Sequence, residues 1–136
     1  MHKLHKINTK YKNLLKINKS PPIYVCDQFL SNKECDYMIN ENKNKMKHST
    51  VVKLVNGKEQ LVEDSHRNSE SCHLSNSEYN FLIKKISRLI NKDSRYFEGL
   101  QVGHYTKGGF YKSHHDALDI HTKLGKSFVQ TRGQRI

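Results

Sequence analysis

Within this 136-residue chain, the residue types suited to chemistry concentrate in one run, Tyr111-Lys112-Ser113-His114-His115-Asp116. In an extended strand, residues i and i+2 point to the same face. His114 and Asp116 therefore offer an imidazole nitrogen and a carboxylate to one ion, while His115 points away. With a second His from elsewhere, they would form a 2-His-1-carboxylate triad, which occupies one face of iron(II) and leaves the others open. Spacing alone is weak support. At this content of His and acids, chance supplies roughly 0.9 His-x-acid matches, so the motif needs confirming context. His121, in what reads as a loop, is a poor substitute ligand, because a triad requires fixed geometry. His104 alternates away from Tyr105 and reads as structural or exposed.

The surroundings strengthen the signal. The run Glu98-Gly99-Leu100-Gln101-Val102-Gly103-His104-Tyr105-Thr106-Lys107-Gly108-Gly109-Phe110-Tyr111-Lys112-Ser113-His114-His115-Asp116 resembles the prolyl 4-hydroxylase family of iron(II)- and 2-oxoglutarate-dependent dioxygenases. The resemblance extends to Pro22–Ile39, to Arg67-Asn68-Ser69 and to Gly133-Gln134-Arg135, and so covers about residues 21–136 in family order. It implies a double-stranded β-helix, or jelly roll, with flanking N-terminal helices. It implies His114 and Asp116 as iron ligands, Tyr105 as a contact to 2-oxoglutarate, and Tyr111 on the peptidyl-proline site. Arg67, Ser69 and Arg135 match residues on the substrate side. The implied reaction hydroxylates a prolyl ring and converts 2-oxoglutarate to succinate and CO2 with O2, while ascorbate keeps the iron reduced. A proline-containing peptide or a collagen-like protein is the implied substrate.

The family's third ligand, a His, lies well downstream of His-x-Asp, and a basic residue that anchors 2-oxoglutarate follows it. The sequence stops at Ile136, before either. The expectation is thus an N-terminal portion of the catalytic domain, cut before the last strands and inactive or nearly so on its own.

Several elements must position these residues. Ile23-Tyr24-Val25-Cys26 reads as a short strand. Ser31-Asn32-Lys33-Glu34 is a capping box, opening a helix through about residue 47 with Cys35, Met38, Ile39 and Met46 on one face. Val51–Val55 and Gln60–Val62 flank Asn56-Gly57, a pair suited to a type I′ hairpin turn. Ser75-Asn76-Ser77-Glu78 reads as a second capping box, before a helix carrying Leu82, Ile86, Leu89 and Ile90 and ending near Asn91. Leu100–Tyr105 alternates as a strand, Lys107-Gly108-Gly109 turns, and Phe110–Asp116 is extended. Residues 117–127 read as loop, and Phe128–Ile136 as the start of another strand. This mixed order argues α+β, with helices packed on an antiparallel sheet.

Charge and composition bound the remaining possibilities. Lys and Arg number 24 against 13 acids, for a net charge of +11, and mean hydropathy is -0.84. Lys3, Lys6, Lys10, Lys12, Lys16 and Lys19 fall within residues 1–20 without any acid, so this stretch reads as a flexible basic arm beside a 21–136 domain. Such an arm gives a competing reading: a noncatalytic binding module that contacts nucleic acid or an acidic partner. No apolar run approaches the roughly 20 residues a membrane span requires. The three cysteines, Cys26, Cys35 and Cys72, are too few and scattered for a disulfide framework. No secretory signal is evident. The default compartment is the cytosol, although the family often works in the endoplasmic reticulum lumen.

Overall fold

A computed structural model describes residues 6–56 and 58–134. In chain order the elements are β1 (Leu14–Asn18), β2 (Ile23–Cys26), α1 (Asn32–Asn42), β3 (Lys47–His48), β4 (Val51–Val55), β5 (Lys58–Val62), β6 (Arg67–Asn68) and β7 (Glu70–His73). Then come α2 (Asn80–Ile90), a 3₁₀ turn (Ser94–Tyr96), β8 (Gln101–His104), β9 (Phe110–Tyr111) and α3 (Lys123–Arg132). The described residues therefore make a mixed α and β chain with small antiparallel sheets. They divide into two compact units: Met1–Lys45 with His73–Val102, and Met46–Cys72 with Gly103–Ile136. None of their helices is long and apolar enough to cross a membrane.

In the first unit, residues 14–18 of the expected basic arm form β1 and pair with β2, Leu15 facing Val25 and Lys16 facing Tyr24. Helix α1 begins at the expected box. Ser31 Oγ accepts from the Glu34 amide at 3.3 Å, and Glu34 Oε2 accepts from the Ser31 amide at 2.8 Å. The same carboxylate oxygen accepts from Lys85 Nζ of α2 at 2.6 Å, which ties the two helices together. The Lys85 ammonium, with help from both Ser31 donors, pushes the Glu34 carboxyl down to about 2.

The inward face of α1 runs Cys35, Met38 and Asn42, at helical spacing. Ile39 is outward and 58% exposed, and the helix stops at Asn42 rather than near residue 47. Asn42 explains the stop. Its buried amide nitrogen donates to Met38 O at 2.7 Å and to the Tyr79 hydroxyl at 2.6 Å. Tyr79 is the centre of this unit, only 2% exposed, with the Tyr37 and Phe81 rings at 5.9 and 6.2 Å. Its burial also displaces the second expected cap. Helix α2 starts at Asn80, and Tyr79 at its N-cap makes no side-chain capping bond. Ser75 Oγ bonds to Ser77 Oγ instead. Leu82 and Ile83 of α2 are buried, and Asn91 ends the helix in the left-handed conformation with φ 52°, as the spacing predicts.

In the second unit, β4 and β5 form the expected hairpin, with Val55 facing Lys58 and Asn56 at φ 51°. Gly57 lies outside the described residues. Most of β3, β7 and β8 also falls here, the strands hydrogen-bonded in that order as a three-stranded sheet. Strand β6 pairs with β9, Arg67 facing Tyr111 and Asn68 facing Phe110. The turn before β9 needs both glycines. Gly108 has φ 85°, a region that favours residues without a Cβ. A Cβ on Gly109 would lie 3.0 Å from the Asn68 and Thr106 carbonyl oxygens.

Two expectations fail here. Strand β9 ends at Tyr111, so residues 112–116 are not a strand. And Phe128 begins no strand, because residues 123–132 form α3. Thr122 caps that helix by accepting from the Gly125 amide at 3.0 Å. Leu124, Gly125, Phe128 and Val129 are its less exposed positions, a period of about four. The β-branched and aromatic content of 128–131 suggested a strand, but the cap and this spacing decide for helix.

Candidate metal centre

The site is built on the β6–β9 pair in the second unit. Its ladder gains one further bond, from the Lys112 amide to His66 O at 2.8 Å. It stops there because the partner chain turns. Asp64 Oδ1 accepts from the His66 amide at 2.7 Å, the side-chain-to-backbone closure typical of an Asx turn. Among the described residues, Ser113 to Asp116 therefore join no ladder. His114 and Asp116 nevertheless come together: Nε2 and Oδ1 lie 3.6 Å apart.

His114 is held in a defined tautomer. Its Nδ1 lies 2.7 Å from the Lys112 carbonyl oxygen. A carbonyl only accepts, so in the neutral ring this bond puts the proton on Nδ1 and leaves the lone pair on Nε2 for a metal. The second face of the ring is fixed by stacking, with Tyr111 at 3.8 Å between centroids and 25° between planes. On Tyr111 in turn lies the Arg67 guanidinium, 4.9 Å from the ring centroid, a cation–π contact.

Arg67 is itself anchored. Its Nε donates to Ser69 Oγ at 2.9 Å, Ser69 Oγ donates to Ser49 Oγ at 2.9 Å, and Ser49 Oγ donates to Ser71 Oγ at 2.9 Å. Ser49 and Ser69 are 1% and 5% exposed. One directed row of hydroxyls therefore fixes the guanidinium that lies on Tyr111. On the other side of β6, Asp64 pairs with Lys53 of β4 and with His66 Nδ1 at 2.6 Å. The Lys53 ammonium, then the His66 amide and ring, hold the Asp64 carboxyl well below the usual carboxylate range.

Of the residues singled out from the sequence, the structure groups His114, Asp116, Tyr111, Arg67 and Ser69. Tyr105 is 46% exposed, and no described hydrogen bond, ion pair or ring contact joins it to that group. Arg135 lies outside the described residues. Gln134, beside it, donates to Leu118 O and accepts from the Leu118 amide, each at 2.8 Å. His104 pairs with Glu70 across the three-stranded sheet, at 3.1 Å, in keeping with a structural role. His121 sits in the turn before α3, its amide donating to Asp119 Oδ1. Among the described residues, no three His, Cys, Asp or Glu side chains converge to hold a metal.

His114 and Asp116 fit two positions on one ion. Imidazole nitrogen and carboxylate oxygen each bind transition metals at about 2.1 Å. Adjacent octahedral positions then lie about 3.0 Å apart. The observed separation is 3.6 Å, and the Asp116 side chain is 83% exposed.

No protein-family model matches the chain. Individual proteins do. Probable prolyl 4-hydroxylase 8 of Arabidopsis thaliana is 33% identical over 125 residues, 88% of this chain and 40% of its own length. Probable prolyl 4-hydroxylase 3 of the same plant is 34% identical over 117 residues, 82% of this chain and 40% of its own length. Prolyl 4-hydroxylase 1 is 32% identical over 122 residues, 85% of this chain and 42% of its own length. These matches support the prolyl 4-hydroxylase family for this chain. It spans about two-fifths of the length of these prolyl 4-hydroxylases.

Sequence reasoning missed Lys112, His66, Asp64, Lys53, Ser49 and Ser71. Only the Asp64-x-His66 spacing carried a local signal, that of an Asx turn. The hydroxyl row joins residues 20 or more positions apart and leaves no local trace.

Proposed function

We propose that this chain carries the His-x-Asp part of the iron site of a 2-oxoglutarate-dependent prolyl hydroxylase. The observation that carries the reading is the pairing of His114 Nε2 and Asp116 Oδ1 at 3.6 Å, with Nδ1 committed to a backbone carbonyl. Bound there, iron(II) would supply oxygen activation, 2-oxoglutarate being converted to succinate and CO2 as a prolyl ring is hydroxylated. The protein's own residues supply the rest. His114 and Asp116 donate to the ion from one side. Tyr111 keeps the imidazole plane from turning, and Arg67 fixes Tyr111. Arg67 and Tyr111 then face a proline-containing peptide, and Tyr105 contacts 2-oxoglutarate. Ascorbate would keep the bound iron reduced.

The same reading assigns the small antiparallel sheets to the front of a double-stranded β-helix. The test is a coupled succinate assay with iron(II), 2-oxoglutarate, ascorbate and a proline-rich peptide. Any turnover should vanish in His114→Ala and Asp116→Ala. Succinate release that persists in both variants would overturn the proposal.

A further inference from the structure

We infer that Asp64 is a positioning residue for His114, acting through the backbone of His66 and Lys112. The inference deepens the reading of His114 as a metal ligand and rests on it for its consequence, though its test needs no metal. Four links connect the two side chains. Asp64 Oδ1 accepts from the His66 amide at 2.7 Å, and the Arg67 amide donates to Asp64 O at 3.1 Å, so the carboxylate and its own carbonyl close one turn. That turn aims His66 O at the Lys112 amide, 2.8 Å away. Lys112 is thereby held as the last paired residue after β9. Its carbonyl then accepts from His114 Nδ1 at 2.7 Å.

Free imidazole favours neither nitrogen strongly, so an exposed His needs an outside acceptor to fix its proton. The side chain of His114 is 40% exposed, and the Lys112 carbonyl is that acceptor. Partners of this kind orient ligands and raise their basicity. The unusual part is the anchor. The Asp64 side chain is 8% exposed and takes charged or polar donors on both oxygens: Lys53 on Oδ2, and the His66 amide and ring on Oδ1. A carboxylate so satisfied is poorly placed to bind a ligand itself and well placed to hold a turn.

The experiment reads the His114 tautomer by nitrogen NMR of the histidine-labelled, metal-free chain. The wild type is expected in the Nδ1–H form. Asp64→Ala should lower the ratio of Nδ1–H to Nε2–H by about fivefold, the worth of one ordinary net hydrogen bond, and should speed hydrogen exchange at the Lys112 amide. Asp64→Asn keeps an acceptor for the His66 amide and should restore the wild-type ratio. His66→Ala keeps the backbone path and should leave the ratio unchanged. If Asp64→Ala does not fold, Asp64→Ser is read in its place, with an intermediate ratio expected. An Nε2–H wild type, a ratio unmoved in folded Asp64→Ala or Asp64→Ser, or a change in His66→Ala as large as in Asp64→Ala would overturn the inference. An Nε2–H wild type would count against the metal reading as well, whereas the variant outcomes count against this inference alone, so the two failures are told apart.

Discussion

Replacing Ser69 with Ala should cost about 2 kcal/mol of stability and loosen the site at the same time. Ser69 is 5% exposed and sits between two partners, accepting from Arg67 Nε and donating to Ser49 Oγ, each at 2.9 Å. A hydrogen bond to a charged group contributes about 1.5–3 kcal/mol net, and a neutral one about 0.5–1.5. The low end applies to both. The Arg67 guanidinium is only half-buried and regains water, and Ser49 keeps its bond to Ser71 at 2.9 Å. For a chain of this length, about 2 kcal/mol lowers the melting midpoint by about 7 °C. Urea denaturation of wild type and Ser69→Ala measures the difference, with Ser77→Ala, an exposed hydroxyl, as the control expected within about 0.5 kcal/mol. The second readout is the proton shift of the His114 ring, which lies 3.8 Å from Tyr111. Freed from Ser69, Arg67 no longer pins Tyr111, and the stacking shift should decrease. A Ser69→Ala midpoint matching the control, with an unmoved His114 resonance, would refute the idea that the hydroxyl row holds the site.

Three other substitutions probe the scaffold. Tyr79→Phe strands a buried N–H of Asn42, now 2.6 Å from the Tyr79 hydroxyl, and should cost about 1–3 kcal/mol in the same denaturation assay. Glu34→Gln tests linkage: the Glu34 carboxyl lies near 2 in the folded chain against 4.5 ordinarily. Its stabilising effect is therefore present above about pH 4.5 and is lost as pH falls towards 2, so the variant should be less stable at neutral pH and should show a flatter acid-unfolding profile. Gly125→Ala should destabilise the chain although Ala is the better helix former, because its Cβ would collide with the Asp119 carbonyl oxygen. A gain in melting midpoint there would show that the start of α3 packs differently.

Local signals in the sequence were read correctly where local physics controls the structure. The Ser31–Glu34 box, the Asn56 turn and the Asn91 stop each depend on a few adjacent residues, and each is present. Two of the failures share one cause. Burial of Tyr79 against Asn42 shifted the start of α2 past its apparent cap and ended α1 early, a contact between residues 37 positions apart. Residues 128–132 have strand-like composition, yet Thr122 and the packing of Leu124 and Phe128 make them helical. The site shows the same division. His114 and Asp116 were legible from spacing and family likeness, but the assumed mechanism, strand alternation, is absent. A turn at Asp64 ends the ladder, and a single bond from His114 to Lys112 replaces it. That bond joins residues close in sequence, yet it depends on a turn some 50 positions earlier.

On the proposed reading, His114 and Asp116 together form a metal-binding pair. Manganese(II), a paramagnetic and oxygen-stable stand-in for iron(II), tests it most directly in an amide NMR titration of the intact chain. The first signals to broaden should be those of residues 112–116 and Tyr111, at metal concentrations reflecting weak binding, and His114→Ala and Asp116→Ala should each abolish this selectivity. Broadening centred instead on Glu70 and His104, or unchanged around residue 114 in both variants, would contradict it.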